Sequence, residues 1–425
     1  MPFSRSLFIG CGLLALAGGD WPRFRGPNGT GIGDGSPPVE LGSALIWKVD
    51  LGGTGNGSPV VASGRVYFVT ASGDGSTRRL VCLDAATGRD IWSRTVPGRP
   101  AKTHRKNSLA SSTPAVDGSV VVCCFWDGAH LLLHAYSTDG EPLWRRDLGG
   151  FASEHGAGLS PVIHGDRVFV NHDQDGSAKA LAFDVRTGKP LWSADRAAHR
   201  ACYSTPVVRP TDAGPELVVT STTGIAGYDP ATGRLNWEHA WDWSYTREPL
   251  RTVGSSIIVD GLIFAFAGNG GGNSAVLAIR PPAAPGGKPE VVWERRKGFP
   301  YVPTPVGHGE HLLTVNDRGV AGCYEARTGK EVWAERLGGG FTASPVLAGG
   351  HVYAVSEDGT VFVFAAGTRF DLKYKHALGE TVYSTPALAD GRLFVRGQRT
   401  LWCFGPKSTR LTRPASNTGT RPGRS

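Results

Sequence analysis

Ala182-Phe183-Asp184-Val185-Arg186-Thr187-Gly188-Lys189-Pro190-Leu191-Trp192 decides the fold, because it carries the chemistry of a tight reversal between two strands and its pattern recurs along the chain. An aspartate side chain accepts backbone N–H bonds inside such a loop, and glycine supplies the positive φ that the reversal requires. A tryptophan four residues after the glycine offers a flat face to pack between adjacent sheets and an N–H in search of a carbonyl. The same turn stands at Asp84-Ala85-Ala86-Thr87-Gly88, at Asp229-Pro230-Ala231-Thr232-Gly233 and, with glutamate, at Glu325-Ala326-Arg327-Thr328-Gly329.

Outward from these turns the whole chain is a repeat. Segments end on Trp47, Trp92, Trp144, Trp192, Trp237, Trp293, Trp333 and Tyr374, spaced 40 to 56 residues apart. They open on Ser58-Pro59, Thr113-Pro114, Ser160-Pro161, Thr205-Pro206, Thr304-Pro305, Ser344-Pro345 and Thr385-Pro386, and Ser255-Ser256 fills the eighth slot without proline. Within 58–96, Pro59-Val60-Val61 reads as a short inner strand, Ser63-Gly64 as a turn, 66–69 and 80–83 as the next two strands, and Ile91-Trp92 as the fourth. The order of the landmarks is informative: Trp47 has no opening before it, and Thr385-Pro386 has no aromatic ending after it. A solenoid keeps atypical caps at both ends, whereas a ring builds one unit from both termini and leaves no sheet edge there. The expected architecture is all-β: an eight-bladed β-propeller of four-stranded antiparallel blades over 44–405, closed by N- and C-terminal strands that share one blade.

A length of 425 residues ordinarily means several domains, but repeat units bury their faces only against their neighbours, so one toroidal domain is expected. Arg5, the largely apolar 7–17 and the small residues Ala17, Gly18 and Gly19 read as a signal peptide over 1–19, followed by an N-terminal extension over 20–43. The expected location is therefore periplasmic or extracellular. Lipid anchoring through Cys11 is not expected, since only Leu7, Phe8 and Ile9 form the apolar stretch before it. No later apolar run approaches about 20 residues, so no transmembrane segment is expected. Of the net charge of +8, Arg5 and the tail residues Lys407, Arg410, Arg413, Arg421 and Arg424 account for all but +2. The basic tail over 406–425 is rich in Pro, Ser and Thr and reads as disordered, and the body gives no reason to expect specific nucleic-acid binding. Cys82, Cys323 and Cys403 share one repeat position with Ala135, Ala182, Gly227, Ala278 and Val363, which marks a slot for small packing residues rather than for metal ligands.

The string 182–192 is similar to the tryptophan-docking repeat of the PQQ-like, or quinoprotein alcohol dehydrogenase-like, propellers, the superfamily of PQQ enzymes and BamB-like exported proteins. The resemblance covers nearly the whole repeat region, and Trp21-Pro22-Arg23-Phe24-Arg25-Gly26-Pro27-Asn28-Gly29-Thr30-Gly31 also resembles the start of exported proteins of that kind. It implies fold far more than function. The pattern lapses twice, at Pro281-Pro282-Ala283-Ala284-Pro285-Gly286-Gly287-Lys288-Pro289 in blade 5 and at Gly367-Thr368-Arg369-Phe370 in blade 7. Family enzymes use PQQ held by calcium, with carboxylate and asparagine ligands and an aspartate base. No such set maps onto this sequence, and no haem-attachment motif is present, so no cofactor is expected.

In a ring of this kind, blade-to-blade connections and the links between second and third strands share one face, where loops are long and irregular. Binding residues concentrate on such loops. The candidate ligand-binding residues at the channel mouth are His104, Arg105 and Asn107 before blade 2, Glu154 and His155 before blade 3, and His199 and Arg200 before blade 4. Trp241, Trp243 and Arg247 precede blade 5. Aromatic walls with a mainly basic rim suit a polar or anionic ligand, so the expected partner is a protein or an anionic or sugar polymer, bound by a non-catalytic, BamB-like monomer. The alternatives are a PQQ-dependent oxidoreductase, in which vicinal Cys123-Cys124 would be the disulfide the family places against its cofactor, and a carbohydrate-active enzyme using Glu154 with His155, or His199 with Tyr203, as acid and base. Against the disulfide, Val120-Val121-Val122-Cys123-Cys124-Phe125-Trp126 reads as a strand, in which neighbours point to opposite faces. Asn171-His172-Asp173-Gln174-Asp175-Gly176 matches the first half of a calcium loop, but Ala182 stands where its last ligand belongs.

Overall fold

The computed structural model describes residues 19–406, apart from 198 and 271. All but the last residue of the leader, Cys11 included, and all but the first residue of the basic tail lie outside the described residues. Eight four-stranded antiparallel sheets form the expected ring. Blade 1 is built from Val60–Ala62, Arg65–Ala71, Thr77–Asp84 and Asp90–Pro97, innermost strand first. The inner strands of blades 2 to 7 are Ala115–Asp117, Val162–His164, Val207–Thr211, Ile257–Val259, Val306–His308 and Val346–Ala348. Blade 8 takes Ala387–Ala389, Arg392–Arg396 and Thr400–Phe404 from the C-terminal side and its outer strand, Leu45–Asp50, from the N-terminal side. There Trp47 lies opposite Cys403 and Lys48 opposite Trp402, so the shared blade closes the circle by pairing the two terminal segments with each other.

The repeated turn does what its chemistry demands. Asp184 Oδ1 accepts the N–H groups of Arg186 (3.1 Å) and Thr187 (2.8 Å) and the Thr187 hydroxyl (2.7 Å). The indole N–H of the preceding blade then docks on the turn: Trp47 donates to Ala85 O, Trp92 to Thr138 O, Trp144 to Val185 O, Trp192 to Pro230 O and Trp293 to Ala326 O, at 2.8–3.1 Å. Gly367 O accepts from Trp333 at 2.9 Å, so the altered turn of blade 7 still docks. In blade 5 the proline-rich excursion does not reproduce the acceptor, and the Trp237 N–H of blade 4 is buried without a partner. The small-residue slot also gains a cause. Cys82, Ala135, Ala182, Gly227, Ala278, Cys323, Val363 and Cys403 are the cross-strand partners of the eight aromatic residues, where a bulky side chain would displace the ring.

The openings of the segments form a belt around the channel. The N–H of Ser58 donates to the Thr113 hydroxyl, Thr113 N–H to Ser160, Thr205 to Ser255, Ser255 to Thr304, Thr304 to Ser344, Ser344 to Thr385 and Thr385 back to Ser58, at 2.9–3.1 Å. Ser255 takes its slot in this belt although no proline follows it.

Residues 20–33, in the N-terminal extension, run into the channel at its tight-turn end. Inner strands leave one row of backbone groups facing the axis, and those groups need partners. Trp21 exchanges two bonds with Val61 of blade 1, Pro22 O accepts from Val116 of blade 2, Asn28 exchanges two with Val208 of blade 4, and Leu347 of blade 7 bonds Gly31 and Gly33. Arg23 donates to Pro206 O (2.6 Å). Arg25 donates to Thr304 O (2.9 Å) and Pro305 O (2.5 Å) of blade 6 and to Pro345 O (3.2 Å) of blade 7. Both guanidiniums are buried with carbonyls in place of a counter-ion, and burial lowers each to about 9, still cationic at neutral pH. Trp21 is fully buried in the core shared by blades 1, 7 and 8, against Gly26, whose left-handed backbone (φ 67°) leaves no room for a Cβ beside the ring.

Candidate functional site: a blind basic funnel

Among the described residues this plug spans one end of the channel, and the cavity above it opens on the face of the blade-to-blade loops. It is a funnel of about 1370 Å³, with Phe24 of the plug among its lining residues and seven of the belt hydroxyl residues around it. Each linked belt oxygen accepts a backbone N–H of the neighbouring segment. Above the belt, eight cationic side chains line the wall against two carboxylates, Glu248 and Asp317. Asp317 is half-buried, accepts the N–H groups of Tyr301 (2.7 Å) and Val302 (3.1 Å), and is pushed up from the usual carboxylate range by partial desolvation. Lys106, Arg200, Arg251 and Arg296 pair with Glu357, Glu154 and Glu294 beyond the lining, and the wall keeps a net excess of positive charge.

Four loops converge on one side of the mouth. The segment before blade 2 arches across it: His104 N–H donates to His155 O (3.1 Å), Asn107 Nδ2 to His155 O (2.7 Å) and Ala157 O (3.1 Å), and Lys106 Nζ reaches Glu357 Oε1 of blade 7 at 2.5 Å. The His104 and His155 rings stack with centroids 4.9 Å apart. Arg251, fixed by two backbone bonds to Gly268, donates from Nη1 to His155 Nε2, while its Nη2 lies 3.2 Å from Glu154 Oε2. Arg200 donates to the same Glu154 oxygen. Arg200 and its neighbours hold the Glu154 carboxyl below the usual range. Burial, then Arg251, lowers His155; burial, then Arg105 and Lys106, lowers His104, so both imidazoles are neutral at pH 7.

Of the residues expected at the mouth, His104, Arg105, Asn107, His155, Arg200 and Arg247 line the funnel, and Glu154 is joined to it through Arg200 and Arg251. Three others fall outside the lining. Trp241 is buried, donates to Ser221 O (3.0 Å) and stacks on Trp243, which donates to Thr222 O (3.1 Å); both rings fasten the loop before blade 5. His199 is held through its backbone N–H by the Thr222 hydroxyl. Sequence reasoning passed over Arg251, Arg296, Lys297, Asp317 and Arg318. Arg251 carried a signal, lying four residues after Arg247 in a connection already singled out.

The calcium-like stretch serves as scaffolding. Asn171 and Asp173 hold the buried Arg196, while Asp175 accepts the N–H groups of Ala201 (2.8 Å) and Glu154 (3.3 Å), setting the two loops that carry Arg200 and Glu154. Among the described residues no group of three His, Cys, Asp or Glu side chains converges as metal ligands do. Cys123 and Cys124 lie opposite His134 and Leu133 inside the Val120–Trp126 strand, and they enter two different core clusters on the two faces of the sheet. Neither thiol reaches the funnel.

Comparison with known proteins agrees with this architecture. BamB from Moraxella catarrhalis superposes with a TM-score of 0.63 at 15% identity, over 86% of this chain and 98% of that one. A europium-containing methanol dehydrogenase superposes with a TM-score of 0.67 at 13% identity, over 91% and 98%. Likeness at such identity speaks for fold alone. A tetrathionate hydrolase from Acidithiobacillus ferrooxidans is 26% identical over 226 residues, which are 50% of this chain and 42% of that protein, so the chain spans less than half of its length. The profile of the PQQ_2 family, described as outer membrane protein assembly factor BamB, matches residues 42–128, 77–297 and 288–370, and with the docking tryptophans and the closed eight-blade ring it shows that the chain belongs to this family of PQQ-like propellers.

Proposed function

We propose that this protein is an exported, non-catalytic propeller that binds an anionic group of its partner in the funnel on its loop-rich face. The observation that carries the reading is the excess of cations over carboxylates around a channel with one open end. A plugged channel excludes threading of a polymer, so what enters is a chain end, a loop or a small anion. The funnel, at about 1370 Å³ roomier than an ordinary small-molecule pocket, has the convergent polar groups of a ligand site. A metal-held quinone does not fit this donor set: Cys123 and Cys124 are buried elsewhere, and the Asp317 carboxylate is engaged by backbone N–H groups. No redox step is derived.

The test is retention on an immobilised polyanion at fixed salt. Replacing Arg105 and Arg200 together by alanine should abolish retention. The same charge removed at Arg186 and Lys189, exposed on the tight-turn face, should leave most of it. Equal losses would refute the funnel as the site, and dye-linked alcohol oxidation after reconstitution with PQQ and Ca²⁺ would overturn the non-catalytic reading. A second reading, hydrolysis of an anionic substrate, has one observation in its favour: two neutral imidazoles stand beside Glu154 in the same basic funnel. Turnover of tetrathionate, the substrate named for the relative, would decide for it.

A further inference from the structure

We propose that Arg251, Arg200 and His155 form an oxyanion subsite in the funnel wall, occupied in the ligand-free protein by the protein's own Glu154 carboxylate, and that a doubly charged sulfate- or phosphate-type group displaces this carboxylate with uptake of a proton. The inference rests on the binding reading above and names the ligand chemistry of that site.

Two guanidiniums from different loops aim at one oxygen, Glu154 Oε2. Such convergence defines an anion position. Glu154 is a weak tenant, because its side chain is 56% exposed and sits on a loop, where solvent screens an ion pair. The Arg251 position is firmer, anchored by its backbone to blade 5. A group with two charges and three or more oxygens engages both guanidiniums more fully than a single carboxylate oxygen does.

The proton follows from the imidazole. In the free protein Arg251 donates to His155 Nε2, so that nitrogen is an acceptor and the ring proton resides on Nδ1, which faces Glu154 at 3.9 Å. An anion taking the Arg251 donors breaks that bond and leaves Nε2 beside negative charge. Protonation then turns Nε2 into a further donor to the anion. The charged groups facing this imidazole are Arg251 and Glu154, with neutral His104 stacked on it; Arg105 and Lys106 face His104 from the arching loop. Tyr203 and Tyr301, both close to Arg251, keep their protons, since burial raises them, Tyr203 to about 12. The sign is fixed: a bound anion raises the imidazole's proton affinity, so binding tightens as pH falls.

Inorganic sulfate is the probe, because it does not itself titrate between pH 5.5 and 8.0. Calorimetric titration of the full chain at constant ionic strength should show sulfate binding at least fivefold tighter at pH 5.5 than at 8.0. Buffers of different ionisation enthalpy should report proton uptake near pH 6. Arg251→Gln should weaken binding tenfold or more, Arg251→Lys less, and His155→Gln should remove the pH dependence. Glu154→Gln should tighten binding severalfold at both pH values, an outcome that damage to the fold does not produce. The subsite is refuted if Glu154→Gln leaves affinity unchanged, or if binding responds to Lys297→Gln, in the connection between blades 5 and 6, and not to Arg251→Gln; the funnel reading survives that result. The absence of any saturable sulfate binding removes both.

Discussion

Replacing Gly26 by alanine tests whether the N-terminal segment is a packed plug. The φ of 67° is one that an L side chain adopts only at a cost of roughly 1–2 kcal/mol. A Cβ there would also lie 2.5 Å from Cε3, 2.6 Å from Cδ2 and 2.7 Å from Cζ3 of Trp21. That ring is fully buried among residues of blades 1, 7 and 8 and has nowhere to move. Overpacking of this kind costs about 1–3 kcal/mol, and expelling the indole about 3–5. Gly176 supplies the control, since it has a similar φ of 85° but open space around its Cβ position. Gly176→Ala should therefore lose about 1 kcal/mol and Gly26→Ala about 3–5, measured by urea unfolding followed by circular dichroism. Trypsin gives a readout independent of two-state unfolding: Arg23 and Arg25, 5% and 0% exposed, should resist cleavage in the parent protein and become sensitive in Gly26→Ala. Costs for the two alanines within about 0.5 kcal/mol of each other, the usual error of such differences, together with unchanged trypsin resistance, would refute the plug.

Two further outcomes concern the ring itself. Thr304→Val keeps the shape but removes the buried oxygen that accepts Ser255 N–H at 2.9 Å, and should cost about 1–3 kcal/mol in urea unfolding, whereas Thr304→Ser keeps the acceptor and should cost under about 1. Burial, reinforced by Arg145, lowers the His134 imidazole to about 4. Below its ordinary pKa of about 6.5 the unfolded chain takes up a proton that the folded one refuses, so this residue's contribution is intact above pH 6.5 and is lost as pH falls to about 4, by up to about 3 kcal/mol. His134→Asn should flatten that part of the stability profile, and a wild-type slope in the variant would contradict the assignment.

The candidate site was only partly legible. Arg105, Arg200, His104 and His155 were found because their loops are long, irregular and basic, but the same criterion admitted Trp241 and Trp243, whose stacked rings hold a loop instead of facing the funnel. Nothing local distinguishes an indole that walls a cavity from one that fastens the loop beside it. Asp175 likewise looked like a metal ligand in its sequence neighbourhood, and only its distant partners, Ala201 and Glu154, reveal its use.

The repeat, the number of blades and the closure are legible in the order of amino acids alone, because each rests on chemistry that acts over a few residues and is restated in unit after unit: an aspartate bonding its own turn, a glycine at positive φ, a small residue opposite a large ring. The plug and the anion cluster arise only once the ring has closed. Arg25 is recognised by backbone carbonyls some 280 and 320 residues away, and Arg251 meets His155 across 96. Every residue offers the same carbonyl and loops do not repeat, so neither meeting leaves a periodic trace in the chain; each exists only because the ring brings its axis and its loops together.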